Sequence, residues 1–593
     1  MRIVLIALLF LFTHISFGQS QGLAKNYFEQ GEYEKALSIF KKLVKQNPGN
    51  NSQFQYLVKT YQQLERYDEA QEVLLEKLSG RRQNPQYMVE LGHNYTLQGK
   101  DSLASIQYEK AIRSIDENPI YAYVVGRTFG NYSLLDEAAA VYERAMEIDP
   151  TRDYNGQLAK IYGEQGKLEQ MFEKYIDLIQ TNVAYRPSAQ RNFSFYITED
   201  PNNEANIILR KTLLKRLQGT PDILYNELLS WLFIQQKDFR KAFTQEKAIY
   251  KRTGEDLRGI IDLLQISMDE ESYEDAREVA NFLIEKATTP NAEISGYKYL
   301  MHIELKLAQE GDYENIQKEF LDLFDRFGYG PDTYALQLDY NEFLAFKFGK
   351  KEEAINNLKK LSKESLSVYK ESRIKLKLAD ILVFDEKFNQ ALIYYSQVQK
   401  KVKNDRLAQE ARFKVARTSY YKGDFDWSLV QLDVLKKSAS QLIANDAMEL
   451  ALMIRDNSLE DSTQIALKKF AQADLLMLQN RNLEAITLFD DILENHKGEK
   501  IEDEALLKQG AVFELLGDFA KAEINYGKII EFYNEDILAD DAHFRLAKLY
   551  EDKLDLPQKA KDLYEQIIFN FADSIYFVEA RKRYRMLRGD EIN

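Results

Sequence analysis

Between Pro85 and Pro150 the small and apolar positions of the chain repeat. Gly92, Tyr95, Ala104, Tyr108 and Ala111 return as Gly126, Phe129, Ala138, Tyr142 and Ala145, each displaced by 34 residues. Ala104, Tyr108 and Ala111 stand at i, i+4 and i+7, which is one face of a single helix. Gly92 and Tyr95, at i and i+3, share a face of an earlier helix, and Gly99 marks the turn between the two. The pattern predicts paired helices in which small residues permit close approach and aromatic rings fill the space beside the contact. It extends upstream, where Tyr27, Gly31, Tyr33, Phe40 and Pro48 form a first unit and Tyr61, Tyr67 and Leu74 a second. Ala36, Ala70, Ala104 and Ala138 keep the 34-residue spacing through all four units.

A helix–turn–helix period of this length and composition resembles the tetratricopeptide repeat, or TPR. The resemblance implies an all-α fold, a right-handed superhelical solenoid of antiparallel helix pairs, with about 15 pairs in the chain. A fifth unit carries Tyr162, Gly166 and Tyr175, with Met171 in place of the alanine. Residues 183–220 depart from the pattern. There Tyr185-Arg186-Pro187 predicts a break, Phe193 to Tyr196 is aromatic, and Glu199-Asp200-Pro201 leads into a helix over 207–217.

Pairs resume with Phe239 and Ala242, then Tyr273 and Ala276. The spacing lengthens to 37 residues at Ala354, Ala391 and Ser428. The next jump, Ser428 to Ala485, is 57 residues and leaves room for an added helix over Gln441–Arg455. Ala485, Ala522 and Ala560 mark three final pairs. Asp573–Leu587 is predicted to be a terminal helix with Arg581, Lys582, Arg583 and Arg585 facing water, as a solenoid cap requires. The acidic helix starts of this last block, such as Glu502-Asp503-Glu504, suit the positive end of a helix dipole. Together with its longer repeat they resemble the TPR variety of periplasmic outer-membrane-assembly and cell-envelope adaptors. The expected organisation is a signal peptide at 1–18, an N-terminal array at 19–182, an irregular helical bridge at 183–220, a central array at 221–460 and a C-terminal array with its capping helix at 461–593.

The signal-peptide expectation rests on the first residues. Arg2 precedes an unbroken apolar run from Ile3 to Phe12, and Ser16 and Gly18 supply small residues for cleavage before Gln19. Ten apolar residues are half of the roughly 20 that span a bilayer, which argues against a membrane anchor. With no cysteine in the chain, a lipid-anchored lipoprotein, disulfides and thiolate metal sites are all closed. The net charge of −15 opposes general nucleic-acid or anionic-membrane binding. The short signal, its following glutamine and a Tyr/Asn/Lys-rich composition resemble envelope proteins of Bacteroidota, which implies the periplasm.

Chemistry is scarce. His93, His302, His496 and His543 lie far apart in sequence and show no metal-ligand spacing. Gly328-Tyr329-Gly330 lacks the further glycines, the lysine and the preceding strand of a phosphate loop, and is expected to be an inter-helix turn. No catalytic motif is present, so neither an enzyme nor a cofactor is expected. Most of the 37 tyrosines and 33 phenylalanines are expected in the helix-packing core.

One constellation carries a functional expectation. Lys25, Lys59, His93 and Arg127 each lie eleven residues before a repeat alanine, and Lys160 lies eleven before Met171. By resemblance to TPR proteins this place on the first helix faces the concave groove, where extended peptides bind. A ladder of cations would suit acidic peptide segments or an anionic glycan. Tyr56 and Tyr123 would line it, with Gln55, Gln62, Gln63 and Asn131. The expectation is therefore an exported, non-enzymatic scaffold that binds proteins or acidic peptide segments beside outer-membrane machinery. The alternative is a structural protein of the envelope that binds carbohydrate or peptidoglycan.

Overall fold

Successive helix pairs close through one recurring turn. The backbone N–H of Arg66 donates to the Tyr61 carbonyl at 2.9 Å, that of Lys100 to Tyr95 at 2.9 Å and that of Leu134 to Phe129 at 3.0 Å. The residue before each donor is left-handed: Glu65 at φ 57°, Gly99 at φ 70° and Ser133 at φ 57°. This six-to-one closure satisfies carbonyls that the end of a helix would otherwise orphan. It recurs after Gly166 and Lys237, and again after Glu386, Gly423, Asn480 and Gly517. The 34-residue period is thus a period of turns as well as of packing residues.

The computed structural model describes residues 21–80, 84–254, 256–403, 405–438, 441–458 and 463–590. The expected signal peptide lies outside the described residues. Among those described, every regular element is helical, with three short 3-10 turns and no strand, and consecutive helices pack in adjacent pairs. The chain divides into two compact units, Met1–Leu263 and Leu264–Asn593, with the division inside the helix Arg258–Asp269.

In the first unit Gln86–Leu97 pairs with Asp101–Glu117, and Ala122–Asn131 with Leu135–Ile148. Ala104, Ala111, Ala138 and Ala145 are all buried between them. Gly92 is required because Tyr108 occupies its missing side chain: a Cβ there would overlap the ring. Gly126 makes the same concession to Tyr142, again sixteen residues on. Met171 fills the fifth alanine place and is buried.

The bridge is more regular than the sequence predicts. A 3-10 turn at Val183–Tyr185 runs into the helix Arg186–Phe193, and Glu204–Gly219 follows behind an Asn203 cap. Pro187 therefore begins a helix and does not break the chain, because the first turn needs no N–H from it and accepts its fixed φ.

In the second unit one continuous core runs from Ile294 to Val512, crossing the boundary expected at 460/461, and another from Leu506 to Ala580. The added helix is present as Gln441–Asp456. Gly328 to Gly330 form a turn held by the Thr333 hydroxyl, which donates to the Gly328 carbonyl at 2.8 Å. Many buried tyrosines end in a carboxylate: the hydroxyls of Tyr395, Tyr550 and Tyr564 donate to Asp380, Glu523 and Glu551 at 2.6, 2.7 and 2.7 Å. Burying the ring while wetting or pairing the hydroxyl explains tyrosine where phenylalanine would fill the same space.

The terminal helix runs Phe577–Arg588. Arg581 and Lys582 are exposed as expected, but Arg583 turns inward. Its Nη1 donates to Glu551 Oε2 at 2.8 Å and its Nε to Glu579 Oε1 at 2.9 Å. Glu551 already accepts the Tyr564 hydroxyl, and a half-buried carboxylate in that position draws a cation to it. Arg585 is likewise half-buried and reaches Asp590 at 3.4 Å.

Candidate functional site

Each residue of the expected ladder lies on the first helix of its pair. Lys25 is on the helix at 21–29, Lys59 on Asn51–Gln63, His93 on Gln86–Leu97, Arg127 on Ala122–Asn131 and Lys160 on Asn155–Glu164. At one end the Lys25 ammonium sits 5.0 Å over the Tyr56 ring. Tyr56 also stacks on Phe40 and meets Phe28 edge-on, so much of its ring is spent on packing. Further along, the Arg127 guanidinium lies 5.5 Å over Tyr123, whose ring is 46% exposed. Arg127 and Lys160 are exposed, whereas Lys25 and Lys59 are half-buried. Each aromatic face supports a cation without neutralising it.

The middle of the row holds a polar cluster. Glu90 is buried and accepts a hydrogen bond from the Tyr132 hydroxyl. The Tyr132 ring stacks on His93 with 3.8 Å between centroids. Burial raises the affinity of the Glu90 carboxyl for its proton, opposed by Tyr132, the nearby Lys59 charge and Gln55. Burial lowers the His93 pKa, and Lys59 lowers it further. His93 is therefore uncharged at neutral pH and adds no cation to the row. The structure brings Lys59, Glu90, His93 and Tyr132 together. Gln62 is buried and donates to Asn94 at 3.4 Å, whereas Gln63 and Asn131 are exposed.

Glu90 was absent from the sequence-based set, although its signal was available. It precedes His93 by three residues and so shares its helix face. Its burial, and the arrival of Tyr132 from the next pair, depend on packing that spacing does not reveal.

The second unit holds a cavity of about 760 Å³, walled by the added helix Gln441–Asp456, by Arg406–Tyr421, Ile465–Leu478 and Ile501–Leu515, and by the segment 533–538. The only sequence signal for it was the 57-residue jump that makes room for the added helix. Among the described residues, no group of three metal-ligating side chains converges. No described helix is long and apolar enough to cross a membrane.

Residues 27–88 match a tetratricopeptide repeat family model, and residues 541–574 match a second model of the same description. The chain carries tetratricopeptide repeats. The TPR matches cover the first two units of the N-terminal pattern and the last helix pair, Ala539–Asp552 with Pro557–Asn570, before the terminal helix. No curated protein matches the sequence. Among solved structures, the chain is similar to one described as Naa15/Naa10 bound to HypK-THB, with 12% identity, 97% of this chain and 96% of that chain covered, and a TM-score of 0.28. It is also similar to one described as the APC/C hetero-tetramer Cut9-Hcn1, with 13% identity, coverage of 97% and 98%, and a TM-score of 0.23.

Proposed function

We propose that this protein is an exported, non-enzymatic TPR scaffold of the bacterial cell envelope. It holds acidic segments of partner proteins against the first helices of its N-terminal pairs. TPR repeats support the scaffold reading, and the apolar run Ile3–Phe12 supports export. The observation that carries the binding site is the row itself: Lys25 and Arg127 are held over aromatic faces, with Lys59 between them, in a protein of net charge −15. Pre-ordered helices offer such a surface without a folding cost on binding, so affinity resides in side-chain contacts.

The test is charge reversal. Lys59→Glu and Arg127→Glu each weaken binding of a labelled acidic peptide about tenfold and flatten its dependence on salt, as read by fluorescence anisotropy. Unchanged affinity in both variants overturns the site. Fractionation of an epitope-tagged copy tests the location, and retention in the cytoplasm overturns it.

A further inference from the structure

The cavity in the second unit is strongly biased in charge. Eight of its lining residues are carboxylic acids and three are basic. Asp446 and Glu449 stand exposed on the added helix, while Asp503 is buried. Much of the remaining wall is apolar, including Phe413, Leu450, Met453, Phe470 and Leu507. This is an unusual pairing, since a cavity made only by imperfect helix packing has no reason to gather carboxylates around an apolar floor. Four of the acids are already committed: Glu499 Oε1 lies 2.8 Å from His496 Nδ1, and Asp503 Oδ1 accepts the Glu504 backbone N–H at 2.9 Å. Asp474 accepts the Tyr420 hydroxyl at 3.0 Å, and Glu504 accepts Asn457 Nδ2 at 2.9 Å while burial and the neighbouring Asp503 hold its proton on. The excess negative charge therefore lies toward Asp446, Glu449, Asp456 and Asp536.

Exposed apolar surface reaches the cavity at Ile537, which lines it and is 72% exposed. One chemistry complements both features. An ammonium or guanidinium group satisfies the carboxylates, and an apolar neighbour on the same ligand covers Ile537. The volume accommodates a few side chains and not a folded domain.

We infer that this cavity is a binding site for a basic, apolar-flanked segment of a partner polypeptide, with a lysine or arginine side chain seated among the carboxylates. The site is independent of the N-terminal row, which selects the opposite charge.

The test uses the full-length protein and a labelled peptide alternating leucine with arginine. Glu449→Lys, at an exposed position whose substitution spares the fold, weakens binding at least about tenfold, and Asp446→Lys does the same. Replacing arginine by citrulline in the peptide, which keeps the shape and removes the charge, produces a comparable loss. Lys59→Glu leaves this binding unchanged, which separates the site from the N-terminal one. Equal binding of the citrulline peptide, or unchanged affinity in both cavity variants, overturns the inference. Spermidine displacing the peptide at an equal concentration also overturns it, because the site would then select a free cation and not a polypeptide.

Discussion

Gly510 and Gly527 lie one helix apart and make opposite demands. Gly510, on Ile501–Leu515, faces Tyr526, and a Cβ at Gly510 would stand 2.6, 2.9 and 3.1 Å from three atoms of that ring. Ordinary carbon contacts begin near about 3.5 Å. Tyr526 is wholly buried, and its hydroxyl is committed to Glu514, so the ring has no empty space to enter. Overpacking of a filled core costs about 1–3 kcal/mol, and full burial of the ring places this case in the upper half. Alanine recovers about 1 kcal/mol of helix propensity over glycine. Gly510→Ala is therefore expected to lose about 1–2 kcal/mol net. Gly527, on Phe519–Phe532, has nothing within 4 Å of its would-be Cβ. Gly527→Ala should gain most of the propensity term, about 0.5–1 kcal/mol. Urea unfolding followed by far-ultraviolet circular dichroism measures both, and hydrogen exchange in 501–532 localises the change, since arrays of repeats need not unfold in one step. A cycle with Tyr526→Leu isolates the clash: with the shorter side chain, Gly510→Ala should become neutral or stabilising. If Gly510→Ala is as stable as the parent, or if its cost persists in the Tyr526→Leu background, the glycine–tyrosine packing argument fails.

Two further outcomes follow from the same structure. Ser133→Gly should raise stability by about 0.5–1 kcal/mol, because Ser133 holds a left-handed turn at φ 57° whose counterpart in the neighbouring unit is Gly99; an unchanged or lower urea midpoint refutes it. Glu504 has its pKa pushed up to about 9, by burial first and then by Asp503. A carboxyl whose folded pKa is raised binds its proton more tightly when folded, so its contribution is complete below about pH 4 and is lost as the pH rises toward about 9. Glu504→Gln, which stays neutral throughout, should therefore gain on the parent in melting temperature between about pH 5 and about pH 9, and a constant difference across that range would refute the assignment.

The sequence by itself determined the repeat. A buried alanine must recur wherever two helices touch, a glycine wherever a ring from the facing helix takes its place, and a left-handed residue wherever a pair turns. These demands are local, so Ala104, Gly92 and Gly99 announce them at fixed spacing. Even where the turn residue is not glycine, as at Glu65 and Ser133, the period carries the assignment. The added helix was legible too, as a length that the period could not absorb.

What only the tertiary structure decided concerns charge and burial. Spacing placed His93 in a row of bases, but burial against the stacked Tyr132 ring, and then the Lys59 charge, both brought by neighbouring pairs, lower its pKa beside the buried Glu90. The requirement for a polar cap set Arg583 in water, yet Glu551, thirty-two residues earlier, draws it inward. The acidity of the cavity was invisible for the same reason: its carboxylates come from separated segments, each of which reads alone as an ordinary solvated helix face or loop. A residue's spacing fixes the face of the helix it occupies. Which charges meet it there depends on the pairs that pack alongside, and the electrostatic free energy of a side chain is set by that company.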